Sequence, residues 1–214
     1  MAVLLWALTQ TAPTSPYGRQ VVNGFRRKKQ LEGFLIRFAL LPVVLLASIS
    51  AAQEPPTAAR PDPFAPIRFM VGTWRGETNG QPGKGASERS YAFELGDAFL
   101  VARNTAVYPP QPKNEKGETH RDTGFISYDK LRKTLVFRQF HSEGFVNQYV
   151  LDANASRGDT VVFVTETIEN IMPGWRARET YRKTGPNTMV ETFELAEPRK
   201  EFEVYSVCKL TRVK

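Results

Sequence analysis

Short runs of alternating hydrophobic and polar residues fill the chain from residue 67 to the C-terminus. The alternation is plainest at 134–141, 145–152 and 202–213, where every second residue shares one face of an extended chain. Because no sustained helical periodicity interrupts these runs, the pattern predicts β-strands. Both faces carry hydrophobic residues, so the pattern alone does not say which face points inward.

Turn signals rich in Gly, Pro, Asn and Asp separate ten such runs, at intervals of roughly 8–14 residues. Successive antiparallel strands of this length can close up-and-down, which removes the exposed edges of the sheet. We therefore predict an all-β fold, a ten-stranded antiparallel up-and-down β-barrel with room for a ligand inside. The predicted strands are 73–78, 87–95, 98–108, 123–128, 134–141, 145–152, 160–169, 175–183, 188–196 and 202–213.

The N-terminal part of the chain has a different pattern. A basic cluster at 26–29 precedes an apolar run at 34–50, and small residues follow it. This order is typical of a secretory signal peptide. Pro42 interrupts the apolar core, which falls short of the ~20 residues that a membrane-spanning helix needs. Residues 1–52 are predicted to be an N-terminal extension and a cleaved signal peptide, with an uncleaved anchor as the alternative.

The next segment, 53–66, contains five prolines and is predicted to be an extended linker. The β-barrel domain then occupies 67–214. A chain that carries a signal peptide leaves the cytosol, so a secreted or periplasmic location follows from this organisation.

Charge argues against a nucleic-acid partner. The whole chain has a formal net charge of +7, but residues 1–52 hold six of the 29 Lys and Arg and one of the 22 Asp and Glu. The remaining 23 basic and 21 acidic residues give a net charge of only +2. Cys208 is the only cysteine, so an intramolecular disulfide is excluded, and we expect it to be a small buried residue.

Residues 69–76, FMVGTWRG, place a glycine and a tryptophan at the entry to the first predicted strand. This opening resembles that of the calycin-type barrels, which include the lipocalins and fatty-acid-binding-like proteins. It is most similar to the nitrobindin-like group of ten-stranded barrels and to secreted bacterial relatives of unknown function. The resemblance implies that Trp74 closes one barrel end by packing against Arg212 on the last strand, a cation–π contact worth roughly 0.5–2 kcal/mol.

The same resemblance raises the question of haem. Nitrobindins bind haem through a histidine close to the C-terminus, but residues 203–212 contain no histidine. His120 and His141 are the only histidines in the chain, and His120 falls in the polar loop predicted at 109–120. We therefore expect no cofactor, and His141 is the one credible axial ligand if haem did bind.

The segment around His141 carries the richest local cluster of reactive side chains. His141 ends a predicted strand and Glu143 follows two residues later, so both point to the same side of an extended chain. A histidine–carboxylate pair can contact a ligand, bind a metal ion or move protons. A metal site needs three or four ligands, so this pair alone predicts no metal. Local hydrogen bonding at the hairpin is the alternative role of His141.

Three further residues are candidates for ligand contact. Arg178 lies on a strand face with two other arginines, and it would bind an anionic group if that face pointed inward. Otherwise it lies outside and pairs with Glu166 or Glu194 on a neighbouring strand. Tyr149 and Tyr205 are the aromatic residues that we expect to line the pocket.

These observations predict a secreted or periplasmic barrel that binds a small ligand, largely apolar or amphipathic, in its interior. Two alternatives remain open at this point. One is an enzyme, an isomerase or hydrolase, that uses the same cavity; no catalytic residue is assigned. The other is a packed barrel that acts through its outer surface as an envelope interaction module. Neither a nucleic-acid partner nor a membrane span is expected in the mature chain.

Overall fold

Ten antiparallel strands close into a β-barrel in the computed structural model, which describes residues 61–213. Each strand pairs with the strand before and after it, and β1 pairs with β10 to close the ring. The predicted all-β, ten-stranded closed barrel is therefore confirmed. The strands are β1 (Gly72–Gly80), β2 (Gly83–Glu94), β3 (Phe99–Tyr108), β4 (Glu118–Asp129), β5 (Thr134–His141), β6 (Val146–Leu151), β7 (Thr160–Glu169), β8 (Arg176–Gly185), β9 (Thr188–Ala196) and β10 (Glu203–Arg212).

One predicted loop is wrong in a way that matters for the site. The polar stretch 109–120 was expected to lie outside the strands, but β4 begins at Glu118 and includes His120. The physical reason is that polar side chains near the start of β4 point into the barrel, where they find hydrogen-bond partners. Their polarity resembles that of a solvent-exposed loop, although they are interior residues.

A 3₁₀ helix at Ala65–Met70 leads into β1 and covers one end of the barrel, here called the helix end. Its Ile67 and Met70 are buried in the core. Phe64 is also buried and packs edge-on against Phe93 of β2, with ring centroids 5.2 Å apart. The last residues of the predicted linker 53–66 therefore belong to the packed barrel. Residues 1–60, with the predicted signal peptide, lie outside the described residues.

Trp74 and Arg212 close the helix end together, in the contact that the sequence resemblance implies. They are directly paired in the register of β1 and β10, and the Arg212 guanidinium carbon lies 4.0 Å from the indole centroid. The Trp74 ring, 1% exposed, donates its N–H to the carbonyl of Met70 at 2.7 Å. Arg212 also donates to the carbonyls of Phe69 and Val71, which ties the last strand to the chain entering the first.

The middle of the barrel is filled with aromatic side chains. Tyr149 stacks on Phe137 at 5.4 Å, and Phe163 packs edge-on against Phe137 and Tyr181. Gly124 makes room for this layer, since a Cβ there would lie 2.3 Å from the Phe137 ring. Cys208 is buried, as predicted. The centre of the barrel is therefore packed with aromatic rings, and the cavity described below lies toward the end opposite the 3₁₀ helix. Within residues 61–213 we find no helix that has the length and hydropathy to span a bilayer.

Candidate functional site

A cavity of about 230 Å³ opens at the end of the barrel opposite the 3₁₀ helix, here called the cavity end. The β1–β2, β3–β4 and β5–β6 turns lie around it, and Pro82 in the first of these contributes to its wall. Four aromatic residues form part of the lining. They are Tyr108, Phe145, Phe193 and Tyr205.

The rest of the lining is strongly polar, which was not expected for a largely apolar ligand. Arg89 is the only arginine or lysine among the lining residues, and it is outnumbered by carboxyl groups. Gln139, His120 and His141 also line the cavity. The carboxyl groups belong to Glu118, Asp122, Glu143, Glu179 and Glu191.

The register of four neighbouring strands assembles one wall of this cavity. Arg89 on β2 pairs with Asn104 on β3, Asn104 pairs with Asp122 on β4, and Asp122 pairs with His141 on β5. These four side chains therefore form one row across the sheet. His120 precedes Asp122 by two residues and so points to the same interior face.

His120, Asp122, His141 and Glu143 form a connected group, called here the histidine cluster. His120 Nδ1 lies 2.7 Å from Glu143 Oε1, while its Nε2 lies 3.3 Å from His141 Nδ1 and 3.5 Å from Asp122 Oδ2. A histidine that contacts a carboxylate on each side is held in one orientation. The cluster can bind a cation, or accept and release a proton near a bound molecule.

Amide side chains contact Asp122 and His141 of the cluster. Asp122 Oδ1 accepts hydrogen bonds from Asn104 Nδ2 at 2.7 Å and Gln139 Nε2 at 2.9 Å. His141 Nε2 lies 3.2 Å from the side-chain amide of Asn147, and its ring stacks on Phe145 at 4.0 Å. The positions of Asp122 and His141 are therefore fixed by neighbours.

The two histidines have opposite pKa shifts. Burial by itself would lower the pKa of His120, but hydrogen bonds to Asp122 and Glu143 outweigh burial and raise that pKa to about 9. For His141, burial dominates and the positive charge of His120 adds to it, so its pKa falls to about 4. Burial opposes ionisation of Asp122, yet His120 and the other cationic neighbours lower the pKa of Asp122 to about 2. Near neutral pH, His120 is a cation and His141 is neutral.

A buried ion pair links Arg89, at one end of that row, to Glu191 on β9. Arg89 contacts both carboxylate oxygens of Glu191, at 2.9 and 3.0 Å, and the two side chains are 8% and 7% exposed. Glu179 is buried nearby, and burial together with the charge of Glu191 raises its pKa well above the usual carboxyl range. Its Oε2 has no hydrogen-bond partner among residues 61–213. The interior thus holds several ionisable groups that a purely structural core would exclude.

The structure brings together some of the residues predicted from the sequence. His141, Glu143 and Tyr205 line the cavity. Tyr149 lies deeper, in the aromatic layer, where its hydroxyl accepts a hydrogen bond from Asn147 at 2.9 Å. Tyr205 reaches the cavity because of a bulge, where the pairing of β10 with β9 shifts between Val204 and Ser206.

Arg178 is not part of the cavity, so its interior placement is wrong. Its neighbours Ala177 and Glu179 point inward, which directs Arg178 outward. There it binds both carboxylate oxygens of Glu194 at 2.6 Å and lies 4.5 Å from the centroid of the Phe202 ring. The outer-face pairing with Glu194, considered from the sequence, is the observed arrangement.

Several functional candidates were missed by the sequence analysis. His120 was placed in a predicted loop, and Arg89, Asp122, Glu179 and Glu191 were not among the candidate residues. The available signal was the two-residue spacing of His120 and Asp122 near a strand start. Together with His141, these two residues place three potential metal-ligand atoms within 4.8 Å of one another, whereas the pair of His141 and Glu143 had supplied only two. For haem, the described part of β10 offers no histidine, and both ring nitrogens of His141 face polar neighbours.

A scan of protein families finds no model that matches this chain, and a comparison with curated proteins finds no match either. Among solved structures, the chain is similar to the crystal structure of Rv2717c from M. tuberculosis. The TM-score is 0.52 at 15% sequence identity, and the match covers 72% of this chain and 99% of that one. At this identity, the likeness shows that the two proteins share the barrel fold.

Proposed function

We propose that this protein binds a small amphipathic molecule in the cavity at the end of its barrel, outside the cytosol. The observation that carries the proposal is a cavity of about 230 Å³ whose lining combines aromatic rings with several carboxyl groups. Such a combination of apolar surface and a few converging polar groups is typical of ligand pockets. The order of the strands and the Trp74–Arg212 contact support the calycin-type relationship suggested by the opening motif.

The lining narrows the chemistry of the ligand. Apart from Glu179, whose pKa is raised, four carboxyl groups face two cations, Arg89 and His120, and this balance favours a ligand that carries a positive charge or several hydrogen-bond donors. The aromatic residues favour a flat or branched apolar part of modest size. The cavity is smaller than the roughly 300–1,000 Å³ of typical drug-sized pockets, so a long acyl chain does not fit the proposal.

An interior ligand explains the polar groups better than the alternative of a packed barrel with a functional outer surface. Burying Glu179, Asp122 and the Arg89–Glu191 pair costs free energy, and surface recognition gives no reason for that cost. The extracytosolic location is an independent part of the proposal, and it rests on the signal-peptide pattern at 1–52.

Native mass spectrometry of the full chain purified from its own host tests the proposal. We expect the folded protein to carry an organic molecule that is released on denaturation. The variant Ala106→Leu should reduce its occupancy, because Ala106 is buried and lies between the inward-facing Asn104 and Tyr108. Val107→Leu, at the exposed neighbouring position, is the matched control and should retain the ligand. A bare protein mass, or equal occupancy in both variants, would contradict an interior ligand.

A further inference from the structure

Three side chains of the histidine cluster present their ligand atoms toward one another. His120 Nε2 lies 3.3 Å from His141 Nδ1 and 3.5 Å from Asp122 Oδ2, and all three ligand atoms lie within 4.8 Å of one another. A tetrahedral metal ion with bonds of about 2.1 Å separates its ligands by about 3.4 Å. The two measured spacings match that value, and the third pair, which lies within 4.8 Å, would close to a similar separation around a bound ion.

We propose that His120, Asp122 and His141 bind a divalent first-row transition metal ion. This inference goes beyond the binding of an organic ligand and does not depend on it. Two imidazoles and one carboxylate are the donors that zinc, cobalt, nickel and iron(II) prefer, whereas calcium and magnesium prefer oxygen alone. Three protein ligands leave at least one coordination position open toward the cavity, as in catalytic rather than structural metal sites.

The outer contacts of the three residues are those that a metal site requires. Glu143 accepts a hydrogen bond from His120 Nδ1 at 2.7 Å, and since a carboxylate only accepts, Nδ1 carries the proton. In the neutral imidazole this fixes the tautomer in which Nε2 has the lone pair, so a metal ion displaces only the Nε2 proton of the His120 cation. Asp122 Oδ1 is occupied by the amides of Asn104 and Gln139, which leaves Oδ2 as the ligand atom. Histidines held by carboxylates and carboxylates held by donors are the usual second layer of a metal site.

Asn147 supplies the corresponding contact for His141. Its amide lies 3.2 Å from His141 Nε2 and 2.9 Å from the Tyr149 hydroxyl, while its Oδ1 has no hydrogen-bond partner among residues 61–213. The two ends of an amide are exchanged by a half-turn. In that orientation Oδ1 accepts from both His141 Nε2–H and Tyr149 O–H, and His141 Nδ1 is left unprotonated as a metal ligand requires.

A second independent observation points toward a bound group. Gln139 lines the cavity and is 3% exposed, yet its Oε1 has no partner within the described part of the chain. A buried acceptor without a donor destabilises the fold unless a bound group satisfies it. A water molecule or hydroxide bound to the metal ion would provide the donor that this oxygen lacks. The excess of carboxyl groups around the cavity also favours a divalent cation.

Metal titration of the full chain tests the site. The protein should carry an affinity tag without histidine and be freed of metal with a chelator before titration. By calorimetry we expect one Zn²⁺ per chain with micromolar or tighter affinity, and no comparable binding of Mg²⁺ or Ca²⁺. Co²⁺ should give visible absorption bands, which report the geometry of its ligands, and Zn²⁺ should raise the thermal midpoint.

Variants identify the ligands. Asp122→Asn, His120→Asn and His141→Asn should each weaken Zn²⁺ binding at least tenfold, and Glu143→Gln should weaken it by about tenfold through its effect on His120. Glu115→Gln is the matched control, because Glu115 is an exposed carboxyl residue of the β3–β4 turn that does not line the cavity. Asp122→Asn preserves the size of the side chain and its acceptor for the two amides. It therefore keeps the test valid if a histidine variant fails to fold, as circular dichroism would show.

Two results would overturn the inference. One is the absence of saturable Zn²⁺ binding to the folded full chain. The other is unchanged affinity in the folded Asp122→Asn variant, which would place the ion elsewhere. Neither result bears on the proposed organic ligand. Native mass spectrometry tests that ligand separately, because a retained organic molecule and a bound metal ion differ clearly in mass.

Discussion

The two ends of the barrel are built from the same ten strands but bury opposite kinds of side chain. At the helix end, Trp74 and the 3₁₀ helix bury hydrophobic surface, and Arg212 completes the closure. At the cavity end, Asp122, Glu179 and the Arg89–Glu191 pair are buried although burial of charge is costly. The comparison indicates that the helix end stabilises the barrel, whereas the buried charges of the cavity end reduce its stability.

The largest expected effect is on the helix end. Trp74→Ala should lower the free energy of unfolding by about 3–5 kcal/mol, because it removes a fully buried indole and its hydrogen bond to Met70. Denaturant unfolding measures the change. Leu131→Ala, at a position that is 95% exposed, is the control and should be nearly neutral. A loss below about 1 kcal/mol for Trp74→Ala would mean that this end does not support the fold.

The next prediction compares the stability of a variant in which one buried charge has lost its partner with that of a variant in which both charges are removed. Glu191→Gln should destabilise the protein by about 3 kcal/mol, because it leaves the Arg89 guanidinium buried without a counter-charge. Replacing both residues, as Arg89→Met with Glu191→Leu, should restore most of that loss. Chemical unfolding of the two variants provides the comparison. A double variant less stable than Glu191→Gln would show instead that the ion pair is a net stabilising element.

The smallest effect is a pH dependence that belongs to the cavity end. The pKa of His120 is about 9 in the fold, above its usual 6.5, because of Asp122 and Glu143. Its stabilisation is therefore fully present below pH 6.5 and is lost as the pH rises through about 9. The full shift corresponds to about 3 kcal/mol, which partial exposure of the ring reduces to about 2 kcal/mol.

This prediction is measured as the difference between two unfolding profiles. Metal-free wild-type protein should lose stability between pH 6.5 and 9, and His120→Asn should lose about 2 kcal/mol less over the same range. Groups that titrate in both proteins, such as Cys208, cancel in the difference. Parallel profiles for the two proteins would show that His120 is not held as a cation by its carboxylate neighbours.

The sequence predicts the architecture well because strand periodicity and turn residues are local signals. The number of strands and the burial of Cys208 were accessible in this way, whereas the pairing of Trp74 with Arg212 was implied by the resemblance to calycin-type barrels. His141 and Glu143 were also identified, because their spacing at a strand end is visible in one segment.

The rest of the site depends on register, which is not local. Asn104, Asp122 and His141 form a row only because β3, β4 and β5 pair as they do. Alternation cannot separate an interior polar residue from an exterior one when both faces contain hydrophobic residues. For that reason Glu179 and Glu191 were not identified as interior residues, and the start of β4 was predicted to be a loop. The inward-facing polar residues were the least predictable part of the fold, and they are also the part that forms the candidate site.

The bulge in β10 makes the length of that strand, as well as its composition, a determinant of the shape of the cavity. Because pairing with β9 skips Tyr205, two consecutive residues, Tyr205 and Ser206, both turn toward the lumen. Deleting Tyr205 would restore the regular two-residue alternation and remove one aromatic side chain from the cavity lining. Residues 206–212 would keep their partners. This deletion would thus change the shape of the cavity without changing the Trp74–Arg212 contact at the helix end.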